Sequence, residues 1–124
     1  MKKILFIEDE SALQKTVGEI LTQEGYEVIS ALDGEIGLKL AKKNKPDLII
    51  LDLILPKVPG FEVLKNIKAE SDIKDVPVIV LTNVEGIEEI DKAIKLGAIS
   101  YLVKAQYSLK ELVEKIKKTL GESK

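Results

Sequence analysis

The chain has no histidine and no cysteine. Without histidine there is no imidazole general base, no Ser-His-Asp triad and no histidine-ligated zinc. Without cysteine there are no disulfides and no thiolate metal centres, which fits a reducing compartment such as the cytoplasm. No apolar run approaches the ~20 residues that cross a bilayer. The opening Met1-Lys2-Lys3 leads into too short an apolar stretch before Glu8 to act as a secretory signal. Neither a membrane partner nor export is expected. An excess of one charge sign is missing too: 19 Lys and Arg stand against 21 Asp and Glu, a net charge of -2. Nucleic-acid binding draws on a clustered basic face, so no nucleic-acid partner is expected. What remains is 124 residues, 45% hydrophobic and 32% charged, the balance of one soluble domain over residues 1–124.

Apolar runs alternate with helical periods along this length. Lys3–Ile7, Tyr26–Ala31, Asp47–Asp52, Val78–Thr82 and Ser100–Lys104 read as strands. Between and after them lie five helical patterns. The first opens on a capping-box sequence, Ser11-Ala12-Leu13-Gln14, carries Leu13, Val17, Ile20 and Leu21, and stops at Gly25. The second, capped by Asp33, carries Ile36, Leu40 and Ala41 and ends near Asn44. The third carries Phe61, Leu64 and Ile67. The fourth carries Ile87, Ile90 and Ile94 and closes at Gly97. The last opens on a second capping box, Ser108 to Glu111, carries Leu109, Leu112, Val113, Ile116 and Leu120, and ends at Gly121, leaving "GESK" as a frayed end. Strands apolar at nearly every position are expected where both faces are covered. The expected fold is therefore α/β: a doubly wound, five-stranded parallel sheet with helices on both faces, in (βα)5 order.

Leu48 to Leu55 is aliphatic at every position except Asp52. A carboxylate in so apolar a run is costly unless it lies at the strand end or meets a cation. In a parallel sheet all strands end at one rim, where ligands bind. Glu8 and Asp9 follow the first strand, Asp52 ends the third, Thr82 the fourth and Lys104 the fifth. Crowded carboxylates raise one another's pKa, and a hard divalent cation relieves them; Mg2+ suits such oxygen ligands. With an ammonium and a hydroxyl beside them, this set stabilises an arriving phosphoryl group, and Asp52 becomes the nucleophile that forms an acyl phosphate. No G-x-G-x-x-G or Walker pattern is present to cradle a phosphate in another way.

At this point the sequence resembles the receiver domains of two-component response regulators, the CheY-like superfamily, over essentially its whole length. "LFIEDE" resembles the acidic-pair strand of that family. "LILDLILPKVPGFEVL" resembles its phosphoacceptor segment, with a proline four residues and a glycine eight residues after Asp52. "VIVLT" and "SYLVK" resemble its last two strands. The resemblance implies that Asp52 is phosphorylated. It also implies that Asp9 ligates Mg2+ directly, Glu8 through water, and the Ile54 backbone carbonyl as well. Thr82 and Tyr101 become the switch pair, Lys104 the phosphate-binding lysine, and Ile54 and Val84 the positions that tune phosphoryl lifetime. Two positions depart from the pattern. Ala105 stands where the family commonly has a proline after a cis bond, and a cis bond before a non-proline costs ~3 kcal/mol. Asn83 stands where a small residue is usual.

The function so implied is that of a stand-alone phosphoacceptor, not an enzyme acting on a separate substrate. Its donor is a histidine kinase or a histidine phosphotransfer protein, since this chain holds no histidine. A downstream protein target then meets the face of the fourth helix, fifth strand and last helix. The alternative is a pseudo-receiver, a constitutive interaction module that is never phosphorylated. A haloacid-dehalogenase-type phosphatase fits poorly, because Ile54 stands where its second aspartate belongs. A flavodoxin fits poorly because "EDESA" would repel the flavin phosphate.

Overall fold

The structure, a computed structural model, describes residues 1–122. Its elements alternate as expected: β1 (Lys3–Ile7), α1 (Ser11–Gln23), β2 (Glu27–Ala31), α2 (Gly34–Asn44), β3 (Leu48–Leu51), α3 (Gly60–Ala69), β4 (Val78–Thr82), α4 (Ile87–Lys95), β5 (Ser100–Val103) and α5 (Leu109–Thr119), with a 3-10 turn at Lys104–Gln106. The five strands form one parallel sheet in the order β2-β1-β3-β4-β5.

The continuous apolar strands have a simple cause. Their side chains alternate between two buried faces. Leu5, Ile7, Ile49, Leu51, Val78 and Val80 point to one side, where Val63, Leu64 and Ile67 of α3, Ala41 of α2 and Ala93 of α4 cover them. Ile4, Phe6, Leu48, Ile50, Ile79 and Leu81 point to the other, under Val17 and Leu21 of α1 and Leu112 and Ile116 of α5. The chain order reverses between β1 and β3, the place where open α/β sheets leave a crevice. Ile7 pairs with both Ala31 and Leu51, so Glu8 and Asp52 leave the sheet at one level.

Several local expectations change. Tyr26, Asp47, Asp52 and Lys104 fall outside the strands. Asp47 instead accepts a hydrogen bond from the Lys3 amide at 2.7 Å. The capping box at Ser108 forms in full, and Asp33 caps α2 through the Ile36 amide. The box at Ser11 does not form: α1 has Glu10 at its N-cap and no side-chain cap. On α2 the core side is Gly34, Gly37 and Ala41, while Ile36 is exposed; a Cβ at Gly37 would come within 2.7 Å of Ile7, so only glycine lets the helix sit this close. On α4, Ala93 is the buried residue, and Ile87 and Ile94 face out. Gly121 and Glu122 are not frayed. The Glu122 amide bonds the Lys117 carbonyl and Gly121 the Lys118 carbonyl, a Schellman closure of α5, and the Glu122 carboxylate accepts from the Tyr26 hydroxyl. The rest of that expected end, Ser123 and Lys124, lies outside the described residues.

Candidate functional site

The end of β3 delivers Asp52 to the rim, only 3% exposed, with its amide bonded to the Ile7 carbonyl at 3.0 Å. Its backbone cannot drift outward. The start of α3 presses on it so closely that a Cβ at Gly60 would lie 2.4 Å from the Asp52 carbonyl oxygen. The end of β1 delivers Glu8, which is fully buried. Its amide bonds the Ala31 carbonyl at 2.9 Å, and its Oε2 accepts from the Glu10 amide at 3.0 Å. Asp9 is exposed beside them. Carboxylate oxygens of Glu8, Asp9 and Asp52 lie within 4.8 Å of one another.

Lys104, at the start of the turn after β5, reaches into this group. Its Nζ donates to Asp52 Oδ2 at 3.0 Å and lies 2.7 Å from Glu8 Oε1. The second contact is an ion pair between a largely buried ammonium and a fully buried carboxylate. Glu10 stands 3.9 Å from the same ammonium. Burial pushes the Glu8 carboxyl above its ordinary value, and the nearby Asp52 charge adds to this, while Lys104 and the Glu10 amide pull it back. Burial pulls Lys104 down, but its pairing with Glu8 and Asp52 more than reverses this, and its pKa is raised.

These residues line a cleft of about 220 Å³ together with Ile54 and Asn83. Ile54 sits at the mouth, 63% exposed, and its amide donates to Asp52 Oδ1 at 3.3 Å. A larger groove of about 560 Å³ lies between α1 and the edge strand β2, but none of the rim carboxylates lines it, so size does not locate the chemistry. Thr82 is fully buried at the end of β4, one residue behind Asn83, and its Oγ1 accepts from the Val84 amide at 3.4 Å. Tyr101 stands off the cleft, half-buried, its hydroxyl donating to the Val84 carbonyl at 2.6 Å. Val84 therefore joins Thr82 to Tyr101 through its two backbone groups. The bond between Lys104 and Ala105 is trans.

Four carboxylates, those of Glu8, Asp9, Glu10 and Asp52, line the cleft against the ammonium of Lys104, an excess of negative charge that a divalent cation relieves. The donors are all hard oxygens, and Glu8 is held in place by its own amide contacts, so the set fits such an ion. The arrangement suits phosphoryl transfer: a fixed carboxylate, a cation beside it and positive charge for the incoming oxygens. Two contributors escaped the sequence reading. Gln14 is buried beneath Glu8, and Glu10 touches Lys104. Gln14 carried a misleading signal, the false capping box; Glu10 carried none beyond its place next to the acidic pair.

The family profile of the response regulator receiver domain matches residues 4–117, and the chain belongs to that family. It is 40% identical over 124 residues to the alkaline phosphatase synthesis transcriptional regulatory protein PhoP of Bacillus subtilis, an alignment covering 98% of this chain and 50% of PhoP. The chain thus spans about half the length of that relative. In structure it is similar to the chemotaxis protein CheY4 of Vibrio cholerae, with a TM-score of 0.88 and 31% identity over 95% of this chain and 98% of that one. It is also similar to the receiver domain of the sensor histidine kinase PA1611 of Pseudomonas aeruginosa, with a TM-score of 0.87 and 27% identity over 97% of this chain and 98% of that one. That structure holds a magnesium ion in its active-site cleft. Receiver domains of response regulators act in two-component signalling and interact with histidine kinases. No helix among the described residues is long and apolar enough to cross a membrane.

Proposed function

We propose that Asp52 accepts a phosphoryl group from the phosphohistidine of a histidine kinase or histidine phosphotransfer protein. The observation that carries this reading is the placement of Asp52: buried, with one carboxylate oxygen on Lys104 and two further carboxylates within ion-binding distance. An oxygen of Asp52 attacks phosphorus, the P–N bond to the donor imidazole breaks, and the imidazole takes up a proton as it leaves. Glu8, Asp9, Asp52 and the Ile54 backbone carbonyl would hold Mg2+, which when bound would supply neutralising charge; the magnesium in PA1611 supports the choice of ion. Lys104 then pairs with a phosphoryl oxygen. Thr82 turns its hydroxyl from the Val84 amide toward another, and Tyr101, tied to the same residue, follows.

The face of α4, β5 and α5, where Ile87 and Ile94 of α4 stand exposed, changes its affinity for a protein target. The chain promotes its own phosphorylation and dephosphorylation and acts on no separate substrate. Its donors are cytoplasmic, and so is its proposed location. The test is intact-protein mass after incubation with Mg2+ and a small acyl phosphate, beside Asp52→Ala. One phosphoryl group gained, dependent on Mg2+ and lost in the variant, supports the reading. No gain, with no Mg2+ binding, favours a constitutive interaction module.

A further inference from the structure

The first turn of α1 gives up what its sequence offers. Ser11-Ala12-Leu13-Gln14 has the letters of a capping box, yet no side chain caps the helix. Gln14 turns inward instead and is only 6% exposed. Its Nε2 donates to the carbonyls of Phe6 at 2.8 Å, Ala31 at 3.0 Å and Glu8 at 3.1 Å. Two N–H bonds serve three acceptors, so one is shared. Three carbonyl oxygens around one atom also decide which end of the amide is nitrogen. The other end, Oε1, is left buried with no partner among the described residues. A helix cap forgone and an acceptor buried unpaired are both local losses. Losses of this kind are expected where a site gains from them.

The three carbonyls show where that gain lies. Phe6 belongs to β1, Ala31 is the last residue of β2, and Glu8 is the first residue past β1. The Glu8 amide already bonds the Ala31 carbonyl. Gln14 therefore closes a ring in which both backbone groups of Glu8 are held. The Glu8 carbonyl belongs to the peptide joining Glu8 to Asp9. Fixing that peptide plane fixes the angle at which the two carboxylates leave the chain. Groups that orient ligands from behind commonly change metal affinity 10–100-fold when removed.

We propose that Gln14 is the positioning residue for the Glu8–Asp9 pair, setting its geometry for a divalent cation. The inference rests on the divalent-ion reading of the cleft. Its test is Mn2+ binding to the unphosphorylated full chain, followed by the electron paramagnetic resonance signal of the free ion. Wild type is compared with Gln14→Met, which keeps length and apolar packing but has no donors. Val17→Ala, a cavity in the same helix away from Glu8, serves as a control for lost stability, with urea unfolding run on each. We expect Gln14→Met to bind Mn2+ about tenfold more weakly, while Val17→Ala binds as wild type does. The Mg2+ concentration for half-maximal acyl-phosphate labelling should rise by the same factor in Gln14→Met alone. If Gln14→Met does not fold, Gln14→Asn, with its amide drawn back by one methylene, takes its place with the same expectation. Equal Mn2+ affinity in a folded Gln14 variant and wild type overturns the proposal and leaves the cleft reading intact. Absence of Mn2+ binding in wild type overturns both.

Discussion

The corner between β1 and β3 and the flank formed by α4 invert the same rule in opposite directions. At the corner, two carboxylates are buried, Glu8 completely and Asp52 with 3% exposure. On the flank, aliphatic side chains stand in solvent: Ile87 is 86% exposed and Ile94 45%. Buried charge is the more informative departure from ordinary burial. The corner pairs its charges and pins its backbone with hydrogen bonds from three segments. Within α4 the buried residue is Ala93, joined in the core by Leu96 and Ala98 just beyond the helix, with Lys92 over the Phe61 ring at 4.3 Å as a side tie. The candidate site thus lies where the backbone is held by several segments, and the exposed aliphatics lie on a helix that buries little of its own surface.

The most severe way to break this contrast is Lys104→Ala. It leaves Glu8 and Asp52 buried beside each other without their cation. Stability without divalent ions should fall by ~3 kcal/mol or more, as for a broken buried pair. Urea unfolding measures the loss, and added Mg2+ should return part of it. If the variant is as stable as wild type in chelator, the corner is not held by charge pairing.

A second test uses pH. Glu8 has a folded pKa raised above its ordinary 4.5, so the folded state binds its proton more tightly than the unfolded state does. Its ionisation therefore costs stability above the folded pKa, and the cost disappears as pH falls through that value toward 4.5. Lys104 has the opposite window: its contribution is whole below 10.5 and is lost as pH rises through its raised folded value. Metal-free wild type should thus gain stability relative to Glu8→Gln as pH is lowered from neutral. A difference that stays flat from pH 7 to 4.5 would remove burial as the governing effect at Glu8.

The smallest effects belong to the flank. Tyr101→Phe loses one hydrogen bond to Val84 and should cost ~1 kcal/mol. Ile87→Ser should change stability by less than ~0.5 kcal/mol, because the side chain packs on little. Thermal or urea unfolding of both variants checks this. A loss at Ile87 as large as a core substitution would mean that the flank is part of the packed interior.

Much of the contrast was legible in the residues themselves. Asp52 in an aliphatic run, the acidic pair after β1 and Lys104 after β5 all fell at one rim, because parallel strands leave no other place for their ends. The two-faced burial of Ile4 to Ile7 followed from their unbroken apolar character. The failures share a physical origin. Periodicity identifies α2 and α4 as helices but does not say how each rotates on the sheet. Gly37 turns Ile36 outward, and Ala93 does the same for Ile87 and Ile94. The Ser11 box is a local motif, and it lost to non-local acceptors: the carbonyls of Phe6 and Ala31 reach Gln14 only after the sheet has formed. The end of α5 was misjudged for the same reason, since Tyr26 lies 96 positions from Glu122.

The tie between Tyr101 and Val84 has an optical consequence. The chain has three tyrosines and no tryptophan, so its intrinsic emission is tyrosine emission alone. Tyr26 is bound to the Glu122 carboxylate, and burial with that partner pushes its phenol well above the ordinary range. Tyr107 stands on the surface, 41% exposed. Tyr101 is the one whose hydroxyl hangs on the residue next to the rim, in contact with the segment that Thr82 also holds. Any event at Asp52 that reaches Val84 changes the surroundings of one chromophore in three, and the protein reports it without a label.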